Sequence, residues 1–303
     1  MERPLRSDLA GVDGPPEKRR GASAGKRLAP YALLSPAALW QGLFFIIPMF
    51  AMLSLSLSTG TTRTGFTFNW EFANYPEVID RYGEFFIRSF RNATIVTIAG
   101  LLVAYPAAYW IAFRGGRRKS VYLFLLLLPF FVSFVIRTVS WNFILSDEGM
   151  ILGMLKDLGV LADDFKILQT TPAVIAGITY NLLPFTTLPL FVALDRIDKR
   201  LVEAAGDLYA SKREAFRKVV FPLSLPGVFA AVLLTFIPAI GDYLNAEVLG
   251  GPGTHMIGNQ IQAEFLIYRN YPRASALAFI LMLLMLVGAS LYARLLGTEE
   301  ITT

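Results

Sequence analysis

The sequence predicts an all-α, polytopic membrane protein with six transmembrane helices, and two observations carry that prediction. Of the 303 residues, 54% are hydrophobic and 17% charged, against roughly 25% charged in an ordinary soluble domain. The apolar residues also gather in long charge-free runs, where a soluble core would show amphipathic stripes. A bilayer-spanning helix needs about 20 such residues in succession, and its backbone N–H and C=O groups must be bonded within the segment. Asp, Glu, Lys and Arg are absent from Tyr31 to Thr62, Asn92 to Phe113, Ser120 to Ile136 (resuming after Arg137 to Ser146), Ile167 to Leu194, Val219 to Gly241 and Ala274 to Ala293. These runs place spans at about 31–58, 92–113, 120–145, 171–194, 222–248 and 274–296, inside one membrane domain of residues 29–297.

The flanking segments set the orientation. Residues 1–28 are basic and rich in Gly and Pro (Gly14, Pro15, Pro16, Gly21, Gly25), which predicts a disordered cytoplasmic tail ahead of an uncleaved first span; the following run is too long for a signal-peptide core. Residues 298–303 form a second short tail. Arg114, Arg117, Arg118 and Lys119 separate spans two and three, and Arg196, Lys199, Arg200, Lys212, Arg213, Arg217 and Lys218 separate four and five. By the positive-inside rule these loops and both termini are cytoplasmic. On the opposite side, 63–90 mixes aromatics with charge and reads as a short element lying on the membrane surface. Residues 147–169 read as a short amphipathic helix, and 250–273 as a turn followed by another. Prolines inside the spans (Pro48, Pro106, Pro129, Pro184, Pro189, Pro238) fit either kinks around a path or ordinary membrane-helix composition.

Composition also narrows the chemistry. With no cysteine and the single His255, the chain has neither a thiolate nucleophile nor enough ligands for zinc; His255 reads as a loop residue without ionic role. The stretch GASAGKR at Gly21–Arg27 departs from a phosphate-binding loop, with Arg20 at the first glycine position and Arg27 in place of Ser or Thr. No metal, cofactor or nucleotide is expected on this chain. The net charge of +5 is explained by membrane orientation, and nucleic acid is not an expected partner; membrane lipid is. A secondary carrier, a membrane-embedded enzyme and a scaffold are the competing classes. The first asks for inverted repeats and the second for clustered catalytic groups, and neither is visible.

The loop from Leu201 to Gly227, LVEAAGDLYASKREAFRKVVFPLSLPG, is long for a membrane connection and amphipathic. Leu208, Ala215, Val219 and Val220 recur on one side at about helical spacing, with Lys212, Arg213, Arg217 and Lys218 on another. A rigid helix there can pass force from a soluble motor to the flanking spans; a solvated juxtamembrane helix is the alternative. Here the sequence resembles the EAA signature of binding-protein-dependent ABC importer permeases: Glu-Ala-Ala, three residues, Gly, nine residues, then Ile, any residue, Leu-Pro. Glu203, Ala204, Ala205 and Pro222 match, Val219 stands for the Ile and Phe221 for the Leu. Tyr209 occupies the glycine position, and the nearest glycine is Gly206.

The flanking stretches TTPAVIAGITYNLLPFTTLPLFVAL and PAIGDYLNAEVLGGPGTHMIGNQIQAEFLIYRNYPRASALAFILM are similar to permease subunits of spermidine/putrescine importers, and the likeness covers most of 31–296. The resemblance implies a type I (MetI-like) permease bundle translocating a small solute, most nearly a polyamine. It implies a coupling loop over 195–221, two partner ATPase subunits that bind ATP and Mg, a second permease subunit in a heterodimer, and an extracytoplasmic solute-binding protein.

A path for an organic cation asks for acidic or aromatic groups, since intramembrane ionisable residues are usually functional. Asp242 and Glu247, with Tyr243, Asn245 and Trp141, are the candidates, near the outer end of span five. They either line the path or sit solvated at the outer interface. Arg137 interrupts the third run; it either pairs with Asp242 or Glu247 or snorkels to the interface. Asn181 reads as an interhelical hydrogen-bonding residue.

Overall fold

The computed structural model describes residues 34–296; both predicted tails and the first residues of the first predicted span lie outside that range. The chain divides after Ala51 into two units. The described part of the first unit belongs to α1 (Leu34–Ser56) and contains no buried residue. A helix apolar on every face suits a lipid environment.

The second unit takes in the end of α1 from Met52 and continues with an antiparallel hairpin of β1 (Ser58–Thr61) and β2 (Gly65–Phe68), Ser58 opposite Phe68 and Thr61 opposite Gly65. Then comes α2 (Asn74–Arg114), whose 41 residues span about 60 Å at 1.5 Å per residue, twice the roughly 30 Å hydrocarbon thickness. Residues 74–90, expected as part of a separate surface element over 63–90, are instead an extension of the second span. The reason is a buried stripe that runs unbroken through both parts: Val78, Tyr82, Phe86, Ser89, Ala93, Val96, Gly100, Ala104, Ala108 and Ile111 recur at three- and four-residue steps.

The third predicted span is not one straight helix. It is the pair α3 (Gly116–Phe131) and α4 (Phe134–Leu145), bent by 87°. Val132 and Ser133 are extended at the break, three residues after Pro129, which removes a backbone donor and crowds the preceding turn. Beyond it lie α5 (Leu152–Asp157), only six residues of the predicted 147–169 helix, and α6 (Thr171–Asp195), whose cap residue Thr170 accepts from the Ala173 N–H at 3.5 Å. Next are α7 (Lys199–Asp207) and α8 (Lys212–Ile240). The predicted fifth span to residue 248 ends early: the helix stops at Ile240 and resumes as α9 (Leu244–Val248). The remainder is α10 (Ile257–Gln262), a π turn at Ala263–Ile267, and α11 (Tyr271–Leu296). The described residues thus contain five helices long and apolar enough to cross a membrane, or six spans with the bent pair counted as one.

Two prolines share one local solution. Pro48 follows a π turn at Gly42–Ile46, and Pro222 follows one at Phe216–Val220 at the same spacing. A proline ring presses on the carbonyl four residues back, Phe44 or Lys218 here, and widening the helix by one residue relieves that contact.

Helices α2, α6 and α8 form the core of the second unit. Their approach uses small residues: a Cβ on Gly227 would run into the Ala193 side chain and the Pro189 carbonyl, and the Thr186 and Thr235 hydroxyls meet at 2.7 Å beside Gly100. Close backbone approach and hydroxyl contacts hold helices together in lipid, where apolar burial supplies little drive. One apolar cluster joins these helices to α10 and α11 through Met256, Ile257 and Leu277. Another joins them to the loop over 195–221 through Ile197 and Val220.

Candidate coupling loop and translocation site

The loop over 195–221 is built by local hydrogen bonding. Asp198 caps α7 by accepting from the Arg200 N–H at 3.0 Å. The helix ends in a Schellman turn: the Ala210 N–H donates to Ala205 O at 3.0 Å and the Tyr209 N–H to Gly206 O at 2.9 Å, with Tyr209 at φ 61°. This left-handed residue is usually glycine, so Tyr209 keeps the backbone geometry that the family's glycine would supply. Two residues later Ser211 starts α8 with a capping box, its Oγ accepting from the Glu214 N–H at 3.3 Å while Glu214 Oε2 accepts from the Ser211 N–H at 2.9 Å. The S-x-x-E spacing that signals this box stands in the sequence and sharpens the sequence reading.

The loop grips the bundle on one side only. Val202 and Phe216 pack with Val220 against α2, where the Phe216 ring meets Tyr105 at 5.9 Å and Tyr109 at 5.8 Å. Tyr105 OH reaches Ser224 Oγ at 2.8 Å, Lys199 Nζ donates to Phe113 O at 3.5 Å, and Lys119 pairs with Asp195. Ala215 and Val220 are buried and Val219 half-buried as the spacing implies, but Leu208 does not share their face: it is 81% exposed and Tyr209 98% exposed. The turn that reverses the chain lifts both away from the bundle. Glu203, Ala204, Gly206, Phe221 and Pro222 are also exposed, and Ala205 half-buried.

Toward the other end, four polar side chains from three segments form a knot, with Thr138, Asn181 and Asn245 buried and Asp242 half-buried. Asn181 Nδ2 on α6 donates to Thr138 Oγ1 on α4 and to Asn245 Oδ1 on α9, each at 3.0 Å; Thr138 Oγ1 donates to the same Asn245 oxygen at 3.2 Å. Asn245 in turn donates to Asp242, its Nδ2 to Oδ2 at 2.7 Å and its backbone N to Oδ1 at 2.8 Å. Asp242 therefore works as the cap of the break after α8, with both oxygens engaged. Gly177 makes the crossing possible, since a Cβ there would strike Leu249 and Asn245 Oδ1. Thr138 carried no signal in the sequence, because nothing local distinguishes it from other span threonines.

The remaining candidates fall into two other places. Trp141 and Arg137 line a cavity with Tyr180, the Trp141 and Tyr180 rings 5.3 Å apart. Arg137 makes no ion pair with Asp242 or Glu247: it is 7% exposed, its guanidinium 4.6 Å from the Phe130 ring, because the bend carries α4 back over that ring. Glu247 and Tyr243 are exposed. Asn259 Nδ2 donates to Glu247 Oε2 at 2.9 Å and to Tyr243 O at 3.0 Å. His255 Nε2 lies 3.8 Å from Glu247 Oε2, since the turn at 250–256 folds it back onto α9.

Comparison with known proteins places this architecture. The family model described as binding-protein-dependent transport system inner membrane component matches residues 97–296, more than half of the chain. The spermidine/putrescine transport system permease protein PotB of Haemophilus influenzae is 36% identical over 84% of this chain and 90% of its own length. The protein of that name from Escherichia coli is 34% identical over 84% and 93%. A solved bacterial ABC transporter chain involved in alginate import aligns over 92% of this chain and 98% of its own with a TM-score of 0.66 at 21% identity. A second, from the complex with an alginate pentasaccharide-bound periplasmic protein, covers 92% and 96% with a TM-score of 0.69 at 20% identity; both likenesses speak to the fold. The chain belongs to the inner membrane components of binding-protein-dependent transport systems, and is the multi-pass permease subunit of an ABC importer, a transport subunit and not an enzyme.

Proposed function

We propose that this permease imports a polyamine of the spermidine/putrescine class. The observation that carries the reading is the 34–36% identity, over most of both chains, to permeases named for that transport. The assembly would hold a second, different permease subunit, two ATPase subunits that bind ATP and Mg, and an extracytoplasmic solute-binding protein, with both termini of this chain in the cytoplasm.

The loop 195–221 is the coupling element. ATPase closure pushes on α7, at Glu203, Ala204 and Ala205, and on the exposed turn at Leu208 and Tyr209. The capped turn moves as one piece, and the Phe216–Tyr105–Tyr109 contacts pass the motion to α2. On the path, Trp141, Tyr243 and Glu247 offer aromatic faces and one carboxylate to an organic cation. Asp242 and Asn245 hold the wall behind them.

The test is ATP-dependent uptake of labelled spermidine and putrescine by the complete importer in proteoliposomes. Saturable uptake that stops without the binding protein is expected. Uptake on an ion gradient by this chain alone, or a purified binding protein that holds no polyamine, would overturn the reading. The Asp242→Asn, Glu247→Gln double variant is expected to lower uptake; unchanged uptake and selectivity would remove the acidic wall.

A further inference from the structure

Arg137 lies in the first turn of α4, just past the bend, and is buried. Its guanidinium sits 4.6 Å from the Phe130 ring and 5.9 Å from the Phe134 ring. Among the described residues no carboxylate comes within ion-pair distance of it, and its Nε has no hydrogen-bond partner. Aromatic faces attract a cation but supply no hydrogen bonds, so they offset only part of the cost of taking a guanidinium out of water.

Two cavities meet at this side chain. One runs toward α2 and Pro184, the other toward Ser140 and Trp141, and both are lined by Pro129, Arg137 and Tyr180. The second, of about 280 Å³, has room for the end of a side chain, given roughly 30 Å³ for one water in liquid. Next in sequence to its lining residues Val132, Arg137 and Ile144, α3 and α4 carry Phe131, Ile136 and Phe143, all exposed.

We propose that this cavity receives a carboxylate side chain from the second permease subunit, and that the resulting pair with Arg137 ties the two subunits together at the bent span. The inference rests on the two-subunit polyamine permease reading above. The occupant follows from charge. A guanidinium presents a planar fork of donors matched to a carboxylate. An uncompensated cation beside Trp141 and Tyr180 would repel an organic cation in the same place, whereas a neutral pair leaves those rings usable. A second subunit also covers Phe131, Ile136 and Phe143 with the same contact.

The experiment compares the whole importer, co-expressed and purified in detergent through a tag on this chain, for the native protein and for Arg137→Met, Arg137→Lys and Arg137→Glu. Recovery of the second permease subunit with the native chain is the control; its failure there would count against the two-subunit reading and not against the pair. With the control met, Arg137→Lys is expected to keep the second subunit, and Arg137→Met and Arg137→Glu to lose it by at least about tenfold, as for a buried pair broken on one side. Arg137→Glu is then combined with single Asp or Glu to Arg reversals within the spans of the second subunit, and one reversal is expected to restore assembly. Native subunit ratios in Arg137→Met, failure of every reversal to restore Arg137→Glu, or loss of phospholipid phosphate from an otherwise intact Arg137→Met complex would each overturn the proposal, the last in favour of a lipid phosphate.

Discussion

The loop over 195–221 and the polar knot are both built from hydrogen bonds, yet they differ in reach. Every cap in the loop joins residues two to five positions apart: Asp198 to Arg200, Tyr209 to Gly206, Ala210 to Ala205, Ser211 to Glu214. In the knot, Asn181 joins Thr138 across 43 positions and Asn245 across 64. The loop's own bonds need no distant segment, and it is held to the bundle along one face, whereas the knot exists only once α4, α6 and α9 have met. A change in the knot should therefore loosen the whole bundle, and a change in the loop should alter presentation to a partner while leaving the bundle intact.

The largest expected effect breaks the knot. Asn245→Ala removes two accepted bonds and the side-chain bond to Oδ2 of half-buried Asp242, which keeps its bond from the backbone N–H of residue 245, and should lower stability by about 3 kcal/mol, since hydrogen bonds to charged groups are the strong ones. Thermal unfolding of the purified protein in detergent reads this directly; a midpoint equal to the native one would show that the knot is not holding the helices. Next comes Gly177→Ala, whose added Cβ meets Leu249 and Asn245 Oδ1; overpacking there should cost about 2 kcal/mol by the same measurement.

On the loop side, Ser211→Ala removes the α8 cap and should cost about 1 kcal/mol locally. Limited proteolysis should cut near 208–212 faster than in the native protein while the unfolding midpoint stays put, and a large fall in that midpoint would erase the contrast between the regions. The smallest change has opposite signs in two assays. Tyr209→Gly relieves a left-handed non-glycine residue, worth about 1 kcal/mol, and should slow proteolysis of the turn. If the exposed ring contacts the ATPase, uptake should fall at the same time, and Tyr209→Phe should keep it. Uptake that rises with the stabler turn would assign the ring no contact.

Much of the loop was open to reading because its determinants are local. The Glu203–Pro222 spacing marked the element, and the S-x-x-E box at Ser211 was there to be read. Tyr209 stood out as a departure, and the backbone shows that the departure changes the side chain while the turn survives. The site residues divided otherwise. Asp242 and Asn245 stand three apart on a helical spacing and do bond to each other, but their link to Thr138 and Asn181 had no trace in the sequence. Arg137 was conspicuous as a charge in an apolar run, and its actual neighbours, Phe130 and Tyr180, depended on a bend that hydropathy cannot register.

By itself the amino-acid sequence determined that the chain crosses a membrane several times, in helices, with its basic loops on one side, because backbone bonding and the exclusion of charge from hydrocarbon act within each segment. It determined the caps and turn of the loop for the same reason. The tertiary structure alone decided where the third span bends, that α2 carries its buried stripe far outside the hydrocarbon thickness, and which polar side chains meet. Those outcomes are set by contacts between segments distant in sequence, and in lipid they turn on close packing and interhelical hydrogen bonds, for which an apolar run carries no pattern.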